Sequence, residues 1–370
     1  MRFPLAFFLM LTFSIGFSQL NNKVFEDRLT LDQTDSGKLF VGLNALGFFK
    51  NNEYKKTVAN GYTLFGYQFQ PTLSYHLTKN IRMDAGAYFQ QDFGSSSPTT
   101  IAPIFSIKWK SKDYSVIFGN LEGSLNHRLI EPLYDFERVL NNRLETGVQI
   151  QFQHDGFFFD TWIDWQYMQH LNDSRQEQFV GGVSLMKRIV RVGNGSLSIP
   201  FQVVSRHQGG QLDTAHMQIQ TLVNSAIGLQ WTQLANGWIK QFSINGFYVY
   251  DKDLSRSRQA YFDGDGWYAN GTISTKFGLD VMATYWQGHE FQSAQGGRVY
   301  PAVSTQDPGV IQPTPQIFML RFLYDYKVAD QLYLTLRYEP YYDMAFKSFQ
   351  YSYGIYVNYR TRYFVAKPGR

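Results

Sequence analysis

The 370-residue chain is predicted to be all-β, a transmembrane antiparallel up-and-down β-barrel of about sixteen strands, with fourteen to eighteen as the range. Three observations point there. Apolar and polar residues alternate with period two through most of the chain. Beyond the first residues, no segment carries the ~18 consecutive apolar residues that a membrane helix needs. Short turns alternate with long loops, and aromatic and charged residues are equally frequent at 17% each, a balance that suits a wall facing lipid outside and water inside.

The elements follow in order. Met1-Arg2, the apolar run Phe3–Phe17 and the small-x-small pattern Gly16-Phe17-Ser18 predict a signal peptide over 1–18, cleaved before Gln19. Residues 19–38 are polar and poorly patterned. They read as a periplasmic N-terminal segment strapped beneath the barrel, too short to be a globular plug. The barrel proper spans 39–364, and a short basic tail, 365–370, follows it.

Its first eight strands are expected at 39–49, 61–78, 81–91, 101–111, 113–121, 143–155, 157–170 and 178–188. The other eight are expected at 196–206, 217–232, 238–250, 266–276, 278–288, 315–327, 331–342 and 348–364. Thr146, Val148, Ile150 and Phe152 oppose Gly147, Gln149 and Gln151. Ile219, Val223, Ile227, Leu229 and Trp231 oppose Gln220, Asn224, Gly228 and Gln230. Short turns fall at 79–80, 111–113, 155–156, 192–195, 234–237, near Phe277 and at 328–331. Longer links lie at 50–60, 92–100, 122–142, 171–177, 207–216, 251–265, 289–314 and 343–347. Short periplasmic turns with longer external loops are the outer-membrane rhythm, which puts both termini in the periplasm. Trp109, Phe157, Phe159, Trp231, Trp238, Tyr324 and Tyr326 sit on apolar faces near short turns, as an interfacial girdle would.

Composition also excludes. There is no Cys, so disulfides and thiolate metal sites are out. A formal charge of +4 without a long basic block gives no case for nucleic acid. The seven His are scattered, and no cofactor is expected.

The leader, the strand rhythm and the final strand Tyr353-Gly354-Ile355-Tyr356-Val357-Asn358-Tyr359 together resemble outer-membrane porin-like proteins. The Phe17-Ser18-Gln19 junction is similar to signal peptides of Bacteroidetes. The chain departs from that pattern by continuing past Phe364 to Arg370 rather than ending on an aromatic. The resemblance implies an outer-membrane location in a Gram-negative bacterium, with outer-membrane lipid, lipopolysaccharide, the barrel-assembly machinery and small solutes as partners. A homo-oligomer or a surface-complex partner is compatible with it.

In sixteen-stranded porins the loop after the fifth strand narrows the lumen, and here that loop is 122–142. Its candidate constriction residues are Glu122, His127, Arg128, Glu131, Asp135, Glu137 and Arg138, with a short amphipathic helix over Ile130–Leu140. Arg82, Lys108, Arg321 and Arg337 fall on the polar parity of their strands. A charge facing lipid at mid-depth costs ~2–4 kcal/mol, so these four are expected to form a basic lumen wall. Acidic loop and basic wall would set a transverse field that filters charged solutes. Asp251, Asp253, Asp263 and Asp265 are weak Ca²⁺ candidates, outweighed by the turn-forming habit of Asp-Gly pairs.

Ser124, His127, Glu131 and Asp135 lack a recognisable catalytic frame, so the sequence is read as a non-enzyme, with a barrel-embedded lipid hydrolase or acyltransferase as the enzymatic alternative. The expected function is a porin-like channel for small hydrophilic solutes, narrowed by 122–142. The alternative is a non-channel scaffold or export barrel that binds protein or glycan through loops 251–265 and 289–314.

Overall fold

The computed structural model describes residue 20 and residues 22–55, 58–210, 218–255 and 260–368. The signal-peptide expectation, 1–18, lies outside the described residues. Sixteen antiparallel strands close into one barrel, hydrogen-bonded in chain order, with the first against the last. They are β1 (Leu39–Glu53), β2 (Tyr62–Tyr75), β3 (Ile81–Asp92), β4 (Thr100–Lys110), β5 (Tyr114–Asn120), β6 (Thr146–His154), β7 (Phe157–Tyr167) and β8 (Gln178–Val192). Then follow β9 (Gly195–Gln208), β10 (Gln220–Leu234), β11 (Ile239–Asp253), β12 (Asp263–Thr275), β13 (Leu279–His289), β14 (Gln316–Ala329), β15 (Leu332–Asp343) and β16 (Ser348–Ala366). Closure sets Ala45 opposite Tyr359 and Leu46 opposite Asn358. Every expected strand is present.

Period two decides which side chain meets lipid. On β11, Phe242, Ile244, Tyr248 and Tyr250 point outward, while Ser243, Asn245, Phe247, Val249 and Asp251 are buried inside. Trp109, Trp238 and Tyr326 are exposed beside short turns, as a girdle requires.

Four features differ from expectation. The inner wall is not uniformly wet. Trp162, Val180, Val204, Ala226, Phe247, Tyr268, Met282 and Trp286 form a buried core with Leu20, Ile130, Leu133, Phe291 and Tyr300. That core exists because loops fold inward to cover the wall. The loop expected at 289–314 as an external binding surface runs over 290–315, buries Phe291, Tyr300 and Ala302, and bonds to loop 121–145 through Gly297 N–H to Glu131 C=O at 2.9 Å. The N-terminal segment likewise enters the lumen instead of lying beneath it, with Phe25 2% exposed against Phe136 and Tyr356. The tail also starts later than expected, since Ala366 still pairs with Leu39; residues 369–370 lie outside the described residues.

Candidate functional site

Residues 121–145 join β5 to β6 and turn inward at once. Gly119 has φ +98, and a Cβ there would meet the Phe105 carbonyl oxygen at 2.1 Å, so the bend requires glycine. The wall then pins the chain. Glu122 accepts from Lys108 Nζ at 2.5 Å, and its N–H donates to Gln149 Oε1 at 3.0 Å. A 3-10 turn over Ser124–His127 follows, with Ser124 and Arg128 both left-handed at φ 54 and 59. Gln202 on β9 accepts from Ile130 N–H and donates to the Arg128 carbonyl, each at 2.9 Å.

Of the expected helix Ile130–Leu140, only α1 (Arg138–Asn141) forms. Ile130 and Leu133 pack toward β7–β14, whereas Phe136 and Val139 pack on Phe25, Leu46 and Tyr356. One helical stripe cannot serve both walls.

His127 is the centre of the loop and is 0% exposed. Its Nδ1 lies 2.7 Å from Asp160 Oδ2 and its Nε2 2.8 Å from Glu145 Oε2, and the ring stacks on Trp162 with centroids 3.6 Å apart. Carboxylates only accept, so a ring facing two of them carries both protons and a positive charge. Gln149 donates to Asp160 at 3.0 Å, while Glu145 accepts from the Tyr134 hydroxyl and, at 2.9 Å, from Ser124 N–H.

The acids that the sequence placed beside His127 are elsewhere. Glu131 turns to Arg321 and to the Tyr300 hydroxyl, and Asp135 accepts from Glu137 N–H at 3.0 Å. The Ser124 hydroxyl is buried without a hydrogen-bond partner among the described residues. Asp160 was missed, although it shares the inward parity of β7 with Phe158 and Trp162. A carboxylate between two inward aromatics was the readable signal.

A second cluster joins the loop to the opposite wall. Arg321 pairs with Glu131 and, at 3.1 Å, with Glu339. Arg337 reaches Glu339 at 2.9 Å and lies over the Phe136 ring at 3.7 Å. Lys50, Glu339 and Arg143, absent from the sequence reading, are buried too. Lys50 holds Glu137 at 2.9 Å, and Arg143 holds Asp27 at 2.7 Å.

Lys108, Arg321 and Arg337 do line the interior, and Arg82 pairs there with Asp84 at 2.7 Å. Arg128 lies over Phe158 at 3.7 Å and Arg138 over Tyr134 at 4.9 Å. The expected field across open water is therefore corrected: Lys108 with Glu122 and Arg321 with Glu131 neutralise each other in contact.

The Ca²⁺ candidates do not assemble. Asp251 and Asp253 face inward, accepting from Gln292 N–H at 3.1 Å and Ser255 N–H at 2.9 Å. Asp263 pairs with Lys252 at 2.7 Å, and Asp265 accepts from the exposed Tyr248 hydroxyl at 3.0 Å. Strand parity divides the four, and among the described residues no group of three or more His or acidic side chains could hold a metal. Below the loop, at the short-turn end, lies a cavity of about 780 Å³ walled by Glu26, Asp27, Arg28, Ser124, Arg128 and Arg143.

Residues 31–368 match the family model described as Lipid A 3'-O-deacylase-type. That match overturns the expectation of a non-enzyme, because the family is an enzyme family. No curated protein matches the chain. Among solved structures, OprD of Pseudomonas aeruginosa is similar at 12% identity and TM-score 0.53, over 91% of this chain and 99% of that one. A loop L8 deletion mutant of OmpT, an outer membrane protein of Vibrio cholerae, is similar at 11% identity and TM-score 0.52, over 87% and 99%. OccK5 (OpdH) of Pseudomonas aeruginosa is similar at 11% identity and TM-score 0.52, over 89% and 99%. At such identity the likeness is one of fold, that of an outer-membrane barrel.

Proposed function

The chain belongs to the lipid A 3'-O-deacylase-type family, and on that premise we propose that it is an outer-membrane acyl-ester hydrolase whose centre is the His127 clamp. The carrying observation is the buried imidazole held between Asp160 and Glu145, three residues from an unbonded serine hydroxyl on a left-handed backbone. Acyl transfer needs a nucleophile within reach of a base that a third group orients. Asp160 on Nδ1 is that orienting group. When Glu145 takes the Nε2 proton and moves off, the ring is left neutral with Nδ1–H still on Asp160, and its free Nε2 is competent to take the Ser124 proton. Ser124 Oγ then bonds to the ester carbonyl carbon, and the proton passes through Nε2 to the departing alkoxide. Water returns the serine by the reverse path. The substrate class is an acylated saccharide lipid carrying an ester-linked chain, as the family description names.

The test is mass spectrometry of lipid A from cells producing the wild type, Ser124→Ala or Asp160→Asn. The wild type should remove one ester-linked acyl chain. Ser124→Ala should lower that rate by about 10³-fold or more, with the folded barrel retained on unheated gels. Intact lipid A in wild-type cells, or full activity in both variants, overturns the reading.

A second reading, a channel for small hydrophilic solutes narrowed by 122–142, is favoured by the loop's position in the lumen and by the cavity below it. It needs a continuous water path. The apolar contacts of Ile130, Leu133, Phe291 and Tyr300 with the wall favour the hydrolase. Steady conductance of the wild type in planar bilayers, with no loss of acyl chains, would reverse that preference.

A further inference from the structure

The N-terminal segment touches both roots of the lumen loop. At the first root, Leu29 N–H donates to Glu122 Oε1 at 2.6 Å, on the carboxylate that also holds Lys108. At the second root, Arg143 Nε donates to Asp27 Oδ2 at 2.7 Å and its Nη2 reaches the Phe25 carbonyl at 3.3 Å. Between the roots, Asn126 Nδ2 donates to the Asp27 carbonyl at 2.9 Å. Phe25 stands edge-on to Phe136 of the loop and to Tyr356 of β16, each at 5.2 Å.

The same segment is tied to the barrel. Asn358 donates to the Val24 carbonyl at 2.6 Å, Arg360 pairs with Asp27 at 3.1 Å, and Arg82 donates to the Thr30 carbonyl at 2.9 Å. Apart from Phe25 and the partly buried Asp27 carboxylate, these ties use the backbone of the segment. They therefore break together if the segment withdraws.

We propose that residues 22–30 are a releasable latch. Seated in the lumen, they clasp both ends of loop 121–145 and wall the cavity beneath Ser124. Withdrawn toward the short-turn end, they free the loop to move and open that cavity. The latch is an autoinhibitory contact for whatever passes or reacts at the loop. It rests on these contacts and not on the hydrolase reading.

The experiment uses the full-length barrel in detergent micelles, with trypsin cleavage after Arg138 and Arg143 followed by mass spectrometry. Heat-modifiability on gels confirms that the barrel is folded. The wild-type loop should resist cleavage. Phe25→Ala/Asp27→Ala should raise loop cleavage about a hundredfold at unchanged barrel folding, because one buried aromatic and both of its neighbouring ion pairs are lost. Unchanged cleavage overturns the proposal. Should the double variant fail to assemble, Asp27→Ala alone decides, since it removes no core atom. Faster loop cleavage supports the latch, and wild-type resistance sinks it. Because the readout is proteolysis, its outcome is separable from any result on lipid A.

Discussion

Replacing His127 by leucine should loosen the lumen loop by about 3–5 kcal/mol, the cost of leaving buried charge uncompensated. The magnitude follows from the surroundings. The side chains of Asp160 and Glu145 are 0% and 1% exposed, and both lose their imidazolium partner at once. Neutral donors remain, since Gln149 still reaches Asp160 and Tyr134 still reaches Glu145, which holds the cost near the lower end of that range. Loss of the stack on Trp162 adds about 0.5–1.5 kcal/mol, part of which leucine restores by filling the space. The assay is hydrogen exchange by mass spectrometry on peptides covering 121–145 in the folded barrel. Exchange there should speed up by roughly 10²–10³ while strand peptides keep their protection. Adding Glu145→Gln and Asp160→Asn to His127→Leu should recover most of the protection, because neutral groups cost far less to bury. Wild-type exchange in the single variant, or a triple variant no better than the single, refutes the imidazolium bridge.

Two further outcomes are expected. Gly119→Ala should cost ~2 kcal/mol or more, since its φ of +98 and the 2.1 Å approach to the Phe105 carbonyl leave no room for a Cβ; a lower midpoint for heat-induced loss of the folded gel band checks it. Ile227→Arg, on the outward parity of β10, should cost ~2–4 kcal/mol in urea titrations of folding into lipid vesicles, and a negligible cost would mean that this face does not meet lipid.

The barrel was legible because period two is a local signal. A residue such as Ile227 declares its side of the wall from its neighbours alone, and so do Lys108, Arg321 and Arg337. Partner choice inside the lumen is not local. His127 meets Asp160 and Glu145, 33 and 18 residues away, while Glu131 and Asp135 lie near it in sequence and turn elsewhere. The four aspartates failed for the opposite reason. Their spacing looks like a cluster until strand parity sends Asp251 and Asp253 inward and leaves Asp263 and Asp265 at the outer side. The helix expected over Ile130–Leu140 reflected its apolar spacing correctly, but those residues serve two walls and only one turn survives as helix. The course of the N-terminal segment had no sequence signal beyond a single aromatic, Phe25, in a polar stretch.

The lumen charges change meaning once their distances are known. Opposite charges held apart across water project a field across the pore, whereas a pair in contact is a dipole whose influence fades within a few ångströms. Arg321 touches Glu131 and Glu339, Arg337 touches Glu339, and Lys50 touches Glu137, so three cations and three carboxylates cancel within one cluster. Their role is to fasten the loop to β1, β14 and β15. Arg321→Glu should therefore not act as a selectivity switch. It places a third carboxylate against Glu131 and Glu339 in a buried site, at a cost of about 3–5 kcal/mol that the loop relieves by leaving the wall. In planar bilayers the variant should show larger and more frequent open events than the wild type. A reversal potential shifted toward cations at unchanged conductance would instead restore the filter and refute the fastening role.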